Sequence, residues 1–151
     1  MALAHKISGR DNYTDLVAGD GEMQEGQIWE ALMFAAQQKL DNLIVLVDYN
    51  KQQLDGFTKD INDLGDIVPR FTSFGWYGVN VDGHNIEEIH NEIEKAKNNK
   101  GKPSVIVLNT IKGKGISFAE GMVDNHHMVL KKDIVEKELE RLTKELEGMV
   151  G

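Results

Sequence analysis

The run Leu43–Val47 (LIVLV) constrains this chain more than any other segment. Consecutive apolar residues with no polar residue interleaved leave no face for water, so a strand built from them is buried on both sides. That condition calls for a parallel sheet sandwiched between helices. Neighbouring segments agree with it. Tyr13–Ala18 reads as a strand that ends in the tight turn Gly19-Asp20-Gly21. Between Gln24 and Leu40, the residues Trp29, Leu32, Met33, Ala36 and Leu40 recur at helical steps, which predicts a helix broken at Asn42. A second helix is expected over Asp63–Phe74, kinked or broken at Pro69. A short strand at Gly78–Val81, a helix marked by Ile86, Ile89 and Ile93, and a strand at Ser104–Asn109 follow. Val135, Leu139, Leu142, Leu146 and Met149 then mark an amphipathic tail helix, expected to pack on the chain's own sheet. Alternation of this kind predicts one domain of the α/β class, a mostly parallel sheet with right-handed crossovers and helices on both faces.

Charge and composition exclude several functions. Lys and Arg number 17 against 25 Asp and Glu, a formal net charge of −8, so the basic face of a nucleic-acid binder is missing. There are no cysteines, which removes disulfides, thiolate metal sites and a cysteine nucleophile. No apolar run approaches the roughly 20 residues of a membrane span, and the first residues lack a signal-peptide core. A cytoplasmic protein is expected. In so acidic a chain an anionic ligand needs a local device, such as a metal ion or a helix N-terminus.

Ligands of parallel α/β sheets bind at the carboxyl ends of the strands. Gly19-Asp20-Gly21, Asp48-Tyr49-Asn50, Asp82-Gly83-His84 and Ile111–Gly115 (IKGKG) all fall there. Asp20 is a hard oxygen ligand of the kind Mg²⁺ takes, and glycines let backbone N–H groups approach a phosphate. In isolation Gly-Asp-Gly is also ordinary turn chemistry. Leu16 and Ala18 stand where an EF-hand needs oxygen ligands, and Gly115 stands where a Walker A loop needs Ser or Thr. Asn50 lies 30 residues beyond Asp20, at the end of the next strand. Sequential strands of a βαβ unit are often neighbours, so the two oxygens are expected to converge above the sheet. An aspartate, an asparagine and a bound diphosphate form a sensible Mg²⁺ ligand set.

GDGEMQEGQIWEA and, thirty residues on, DYNKQQLDG resemble the thiamine-diphosphate motif of transketolases, in particular the N-terminal subunit of split transketolases. FGWYGVNVDGHNIEEI and NTIKGKGISFAEG extend the likeness over nearly the whole chain. The resemblance implies part of a thiamine-diphosphate-binding fold, with thiamine diphosphate and Mg as cofactors. It implies Asp20, the Asn50 side chain and the Gln52 backbone carbonyl as metal ligands. Gly19 and Gly21 would lie against the diphosphate, with Leu54 near the thiazolium ring. It implies His126 as a cofactor and catalytic residue, with His127 as a substitute, and Glu25 and Glu30 as carboxylates linking paired active sites. His5 and His84 read as structural.

The chain departs from the family pattern in three places. Asn125 replaces a tryptophan, and Asp15 stands in a strand where apolar residues are usual, so exposure is expected there. The family's upstream segment and its pyrimidine-binding domain are not in this sequence. The implied activity is transfer of a two-carbon ketol unit between sugar phosphates, by a transferase subunit inactive without a partner. That partner is a C-terminal transketolase subunit carrying the pyrimidine-binding domain, in a homo- or hetero-oligomer. The alternative is a non-catalytic truncated homologue that serves only binding or assembly.

Overall fold

The structure, a computed structural model, describes residues 1–150 and divides into two compact units, Met1–Thr110 and the segment from Ile111 onward. Within the first unit the doubly buried run behaves as its composition requires. Strand β2 (Leu43–Tyr49) lies between β1 (Thr14–Gly19) and β6 (Ser104–Asn109), and β5 (Tyr77–Asp82) closes the far edge. All three pairings are parallel, with the order β1-β2-β6-β5. The chain therefore skips a place between β2 and β5, then returns to insert β6.

Alternate residues of the two central strands feed two separate cores. Val45, Val47, Val105 and Val107 face one layer, made by α1 (Ala2–Ile7), α2 (Gly26–Gln37) and α4 (Ile67–Ser73). Ile44 and Ile106 face the other, with Val81 and with Ala96 of α5 (Ile86–Asn98). Helices thus cover both faces. In the first layer Phe71 meets Trp76 edge to face at 5.2 Å and Trp29 at 6.2 Å. The Trp76 indole N–H donates to the Leu32 carbonyl at 3.0 Å, so this buried aromatic satisfies its one polar atom.

Several local readings need correction. Helix α2 stops at Gln37, before Asn42, because Lys39 turns into the left-handed region at φ 50°. The Leu40 N–H then donates to the Ala35 carbonyl and the Lys39 N–H to that of Ala36, the two bonds of a Schellman cap. Pro69 neither kinks nor breaks a helix, since it is the third residue of α4, where an N–H would have no intrahelical partner. Asp66 caps that start by accepting from the Val68 N–H. Ile86 opens α5 and is 83% exposed, so the buried side of that helix is carried by Ile89, Ile93 and Ala96. The polar loop after Asn50 contains a two-stranded ribbon, β3 (Gln52–Gln53) with β4 (Gly56–Phe57), and a short helix α3 (Thr58–Asn62). Asp15 is exposed as expected. It pairs with Ile44 on the edge strand, on the sheet face where its neighbour Val17 is also 68% exposed.

The second unit holds a glycine-rich loop and α6 (Lys132–Val150). Leu139, Leu146 and Met149 of the expected apolar stripe are exposed, contrary to the packing expected of that stripe. What ties the helix to the loop is polar. Glu138 accepts from the backbone N–H of Ser117 at 2.8 Å and from its hydroxyl at 2.5 Å, and pairs with Arg141. Arg141 in turn donates to the Gly115 carbonyl at 2.6 Å. Among the described residues no helix is long and apolar enough to cross a membrane.

Two outcomes follow from these caps and ties. Pro69→Ala should change stability by no more than about 1 kcal/mol, against the gain of roughly 3 kcal/mol that removing an interior proline would bring. Urea unfolding distinguishes them. The Arg141 and Ser117 hydrogen bonds draw the Glu138 carboxyl from 4.5 down to about 2. A depressed carboxylate stabilises the fold above its unfolded value and loses that contribution as pH falls towards its folded one. Protection factors of the Gly115–Ser117 amides, taken against intrinsic exchange at each pH, should therefore fall between about pH 4.5 and pH 2. Glu138→Gln should flatten that profile.

Candidate functional site

Because every strand of the four-stranded sheet runs the same way, Gly19, Tyr49, Asp82 and Asn109 end on one edge. The first turn there is built around Asp20. Its backbone N–H donates to the Asp48 carbonyl at 3.1 Å, continuing the β1–β2 ladder by one more bond. The Asp20 side chain is only 3% exposed. Its Oδ2 accepts the Lys51 backbone N–H at 2.7 Å and the Thr58 hydroxyl at 3.4 Å. The first bond joins the two motifs that the sequence separates by thirty residues.

That bond requires an unusual backbone. Lys51 has φ 66°, the left-handed region that costs a residue with a Cβ about 1–2 kcal/mol. The turn is held from behind by the Thr58 N–H, which donates to the Lys51 carbonyl at 3.0 Å. Asn50, one residue earlier, uses its amide nitrogen to donate to Asp48 Oδ2 at 3.1 Å, while its Oδ1 accepts the Gln52 N–H at 2.9 Å. Gln52 is buried at the base of the ribbon, and Leu54, at its tip, is 55% exposed. Gly21 is needed for space, because a Cβ there would stand 3.1 Å from the Gln53 Cβ. The Gly19 N–H donates to the Glu22 carboxylate at 2.6 Å.

Burial pushes the Asp20 carboxyl above the ordinary aspartate range, and the Asp48 charge adds to the rise. The Lys51 and Gly21 N–H groups and the Thr58 hydroxyl work the other way. A buried carboxylate with a second carboxylate beside it gains from a cation. One carboxylate, one amide oxygen and one backbone carbonyl are hard oxygen donors that fit Mg²⁺, which usually fills its remaining positions with phosphate and water. Among the described residues no three His, Cys, Asp or Glu side chains cluster as a self-sufficient metal cage. The donor set fits a cation that arrives with an anionic ligand.

The structure thus brings together Gly19, Asp20, Gly21, Asn50 and Gln52. Glu25 and Glu30 are exposed on and just before α2. In the second unit His126 is exposed, its Nδ1 lies 3.2 Å from the Lys112 ammonium, and His127 packs edge-on at 4.9 Å. His84 is exposed after β5, with its backbone N–H on Asp82. The sequence motifs do not pair Asp48 with Thr110, yet the two meet at this edge. The Thr110 hydroxyl donates to Asp48 Oδ1 across the strand ends. Asp48 is within the DYN signature, but nothing local singles out Thr110, which reaches it only through the β2–β6 pairing.

The class the fold defines is an open parallel α/β sheet with hard oxygen donors gathered at the carboxyl ends of its strands. Residues 4–147 match the transketolase thiamine diphosphate binding domain, and the chain belongs to that family. It is 48% identical over 145 residues to the 6-deoxy-6-sulfo-D-fructose transketolase subunit of Clostridium sp. strain MSTE9, covering 96% of this chain and 53% of that one. To an apulose-4-phosphate transketolase subunit of Actinobacillus succinogenes it is 45% identical, covering 96% and 52%. Among solved structures, Campylobacter jejuni transketolase superposes with a TM-score of 0.85 at 30% identity, over 93% of this chain and 23% of that chain. The chain spans about half the length of the curated subunits it matches.

The strained turn yields a direct test. Lys51→Gly should raise stability by about 1 kcal/mol by relieving the left-handed backbone. Lys51→Pro, which cannot take that φ and deletes the N–H to Asp20, should unfold the site. Thermal melts of the two variants check both signs.

Proposed function

We propose that this chain is the Mg²⁺- and diphosphate-anchoring part of a transketolase-type transferase. Its reaction moves a two-carbon ketol unit between sugar phosphates, with a partner subunit supplying the pyrimidine-binding domain. The observation that carries the reading is the 2.7 Å bond from the Lys51 N–H to Asp20, which converges the two halves of the thiamine-diphosphate motif. The Asp20 carboxylate, the Asn50 amide oxygen and the Gln52 carbonyl would hold Mg²⁺. The Gly21 N–H would bind a diphosphate oxygen, and Leu54 is available to an apolar ring. Thiamine diphosphate, when bound, supplies the electron sink for breaking and making the carbon–carbon bond. This chain's residues bind and orient it, and they neutralise its charge through the metal. His126 is assigned to the diphosphate by its place in the sequence. Glu25 and Glu30 are assigned to a subunit interface, where their exposure leaves them free to act.

The two subunit relatives are named for a sulfonated ketose and a ketose phosphate, and so support a ketose with an anionic tail as the substrate class. A cytoplasmic oligomer, inactive until the partner joins, completes the proposal. Mg²⁺ with thiamine diphosphate at one hundred times its Kd should stabilise the chain by about 2.7 kcal/mol. Asp20→Ala should abolish the shift in a thermal melt. A cooperative wild-type transition that ignores both ligands, alone and with a partner subunit present, would sink this reading.

A further inference from the structure

We infer that Asp48 and Thr110 are positioning residues that set the Asn50 amide with its oxygen towards the cation; the inference rests on the metal-site reading above. Asp48 lies near the end of β2, one of the two strands with neighbours on both sides, paired with Gly19 of β1 and Leu108 of β6. It serves both proposed side-chain ligands. Its backbone carbonyl receives the Asp20 N–H, and its Oδ2 receives the Asn50 amide N–H at 3.1 Å. The group of Asn50 that faces the Asp48 carboxylate is therefore the NH₂, which donates to it. The other side of the amide is then oxygen, and it meets the Gln52 N–H at 2.9 Å. Turning the amide over would set oxygen against carboxylate and NH₂ against N–H.

Thr110 holds the remaining oxygen of Asp48, so the carboxylate is gripped from the end of β6 as well as from the loop after β2. Thr110 is itself walled in. A Cβ at Gly83, in the turn after β5, would stand 2.4 Å from the Thr110 Cγ2, and the Gly83 N–H is already tied to the Asn109 carbonyl at 2.9 Å. The ends of β5, β6 and β2 thus form a relay from Gly83 through Thr110 and Asp48 to Asn50. Its product is one orientation of one amide. Partners of metal ligands at this remove commonly carry about 10–100-fold in metal affinity.

The test is an electron-paramagnetic-resonance titration of the full chain with Mn²⁺ in the presence of thiamine diphosphate, with circular dichroism as the folding check. Thr110→Val removes the hydroxyl at nearly constant volume and should weaken Mn²⁺ about tenfold or more. Thr110→Ser keeps the hydroxyl and should hold the wild-type affinity. Asp48→Ala should weaken binding at least as much as Thr110→Val. In an Asn50→Ala background neither change should cost anything further, the non-additivity expected of residues acting through Asn50. If Asp48→Ala fails to fold, the Thr110→Val and Asn50→Ala cycle decides alone. Unchanged affinity in Thr110→Val, or full additivity with Asn50→Ala, overturns the relay while the metal site stands. An Asn50→Ala chain that binds Mn²⁺ like the wild type overturns the metal-site reading and the relay together.

Discussion

Strand β2 is hydrogen-bonded in parallel to β1 on one side and to β6 on the other, so Ile44, Val45 and Val47 have no direction that leads to water. Two cores form because of that placement. The odd-numbered valines join the aromatic layer around Phe71, and the even-numbered isoleucines join Val81 and Ala96. The same placement delivers the end of β2 to the middle of the sheet's carboxyl edge. Asp48 therefore has a neighbour on each side, and the loop carrying Asn50, Lys51 and Gln52 starts where β1 has just released Asp20.

The electrostatics of that edge carry the same sign as the chain as a whole. The formal charge is −8, and the buried Asp20 carboxylate has Asp48 as its neighbour. Hydrogen bonds from Lys51, Gly21 and Thr58 offset part of the cost, yet burial and the second charge still hold Asp20 above the usual carboxylate range. A divalent cation would reverse the balance. It would also turn a region hostile to diphosphate into one that attracts it, which is the local device that an acidic binder of an anion needs.

Left-handed backbone at two lysines serves two different ends. Lys39 takes the left-handed region to end a helix, and neighbouring carbonyls of that helix gain partners in return. Lys51 takes it to point an N–H at Asp20. The first serves packing, because it tucks Leu40 into the core. The second serves the site. Left-handed backbone at a residue that is not glycine persists only when the surroundings over-determine it, and here the Thr58 N–H and the Asp20 carboxylate do so from two sides.

Sequence alone determined the class of fold and marked the turns that are proposed to bear ligands. LIVLV announces a doubly buried strand because burial on both faces is written into consecutive side chains. Asp20 and Asn50 are legible because their turns keep a local signature. The β1–β2 neighbourhood was legible from strand succession, but the rest of the strand order was not. Nothing in the order of segments says that β6 inserts between β2 and β5, yet that insertion sets Thr110 against Asp48. The ribbon β3–β4, the cap at Lys39 and the exposure of Ile86 were likewise decided by three-dimensional neighbours. Hydrophobic periodicity is a property of adjacent residues, whereas the orientation of an amide depends on what the fold brings to its far side. Only the tertiary structure supplied that.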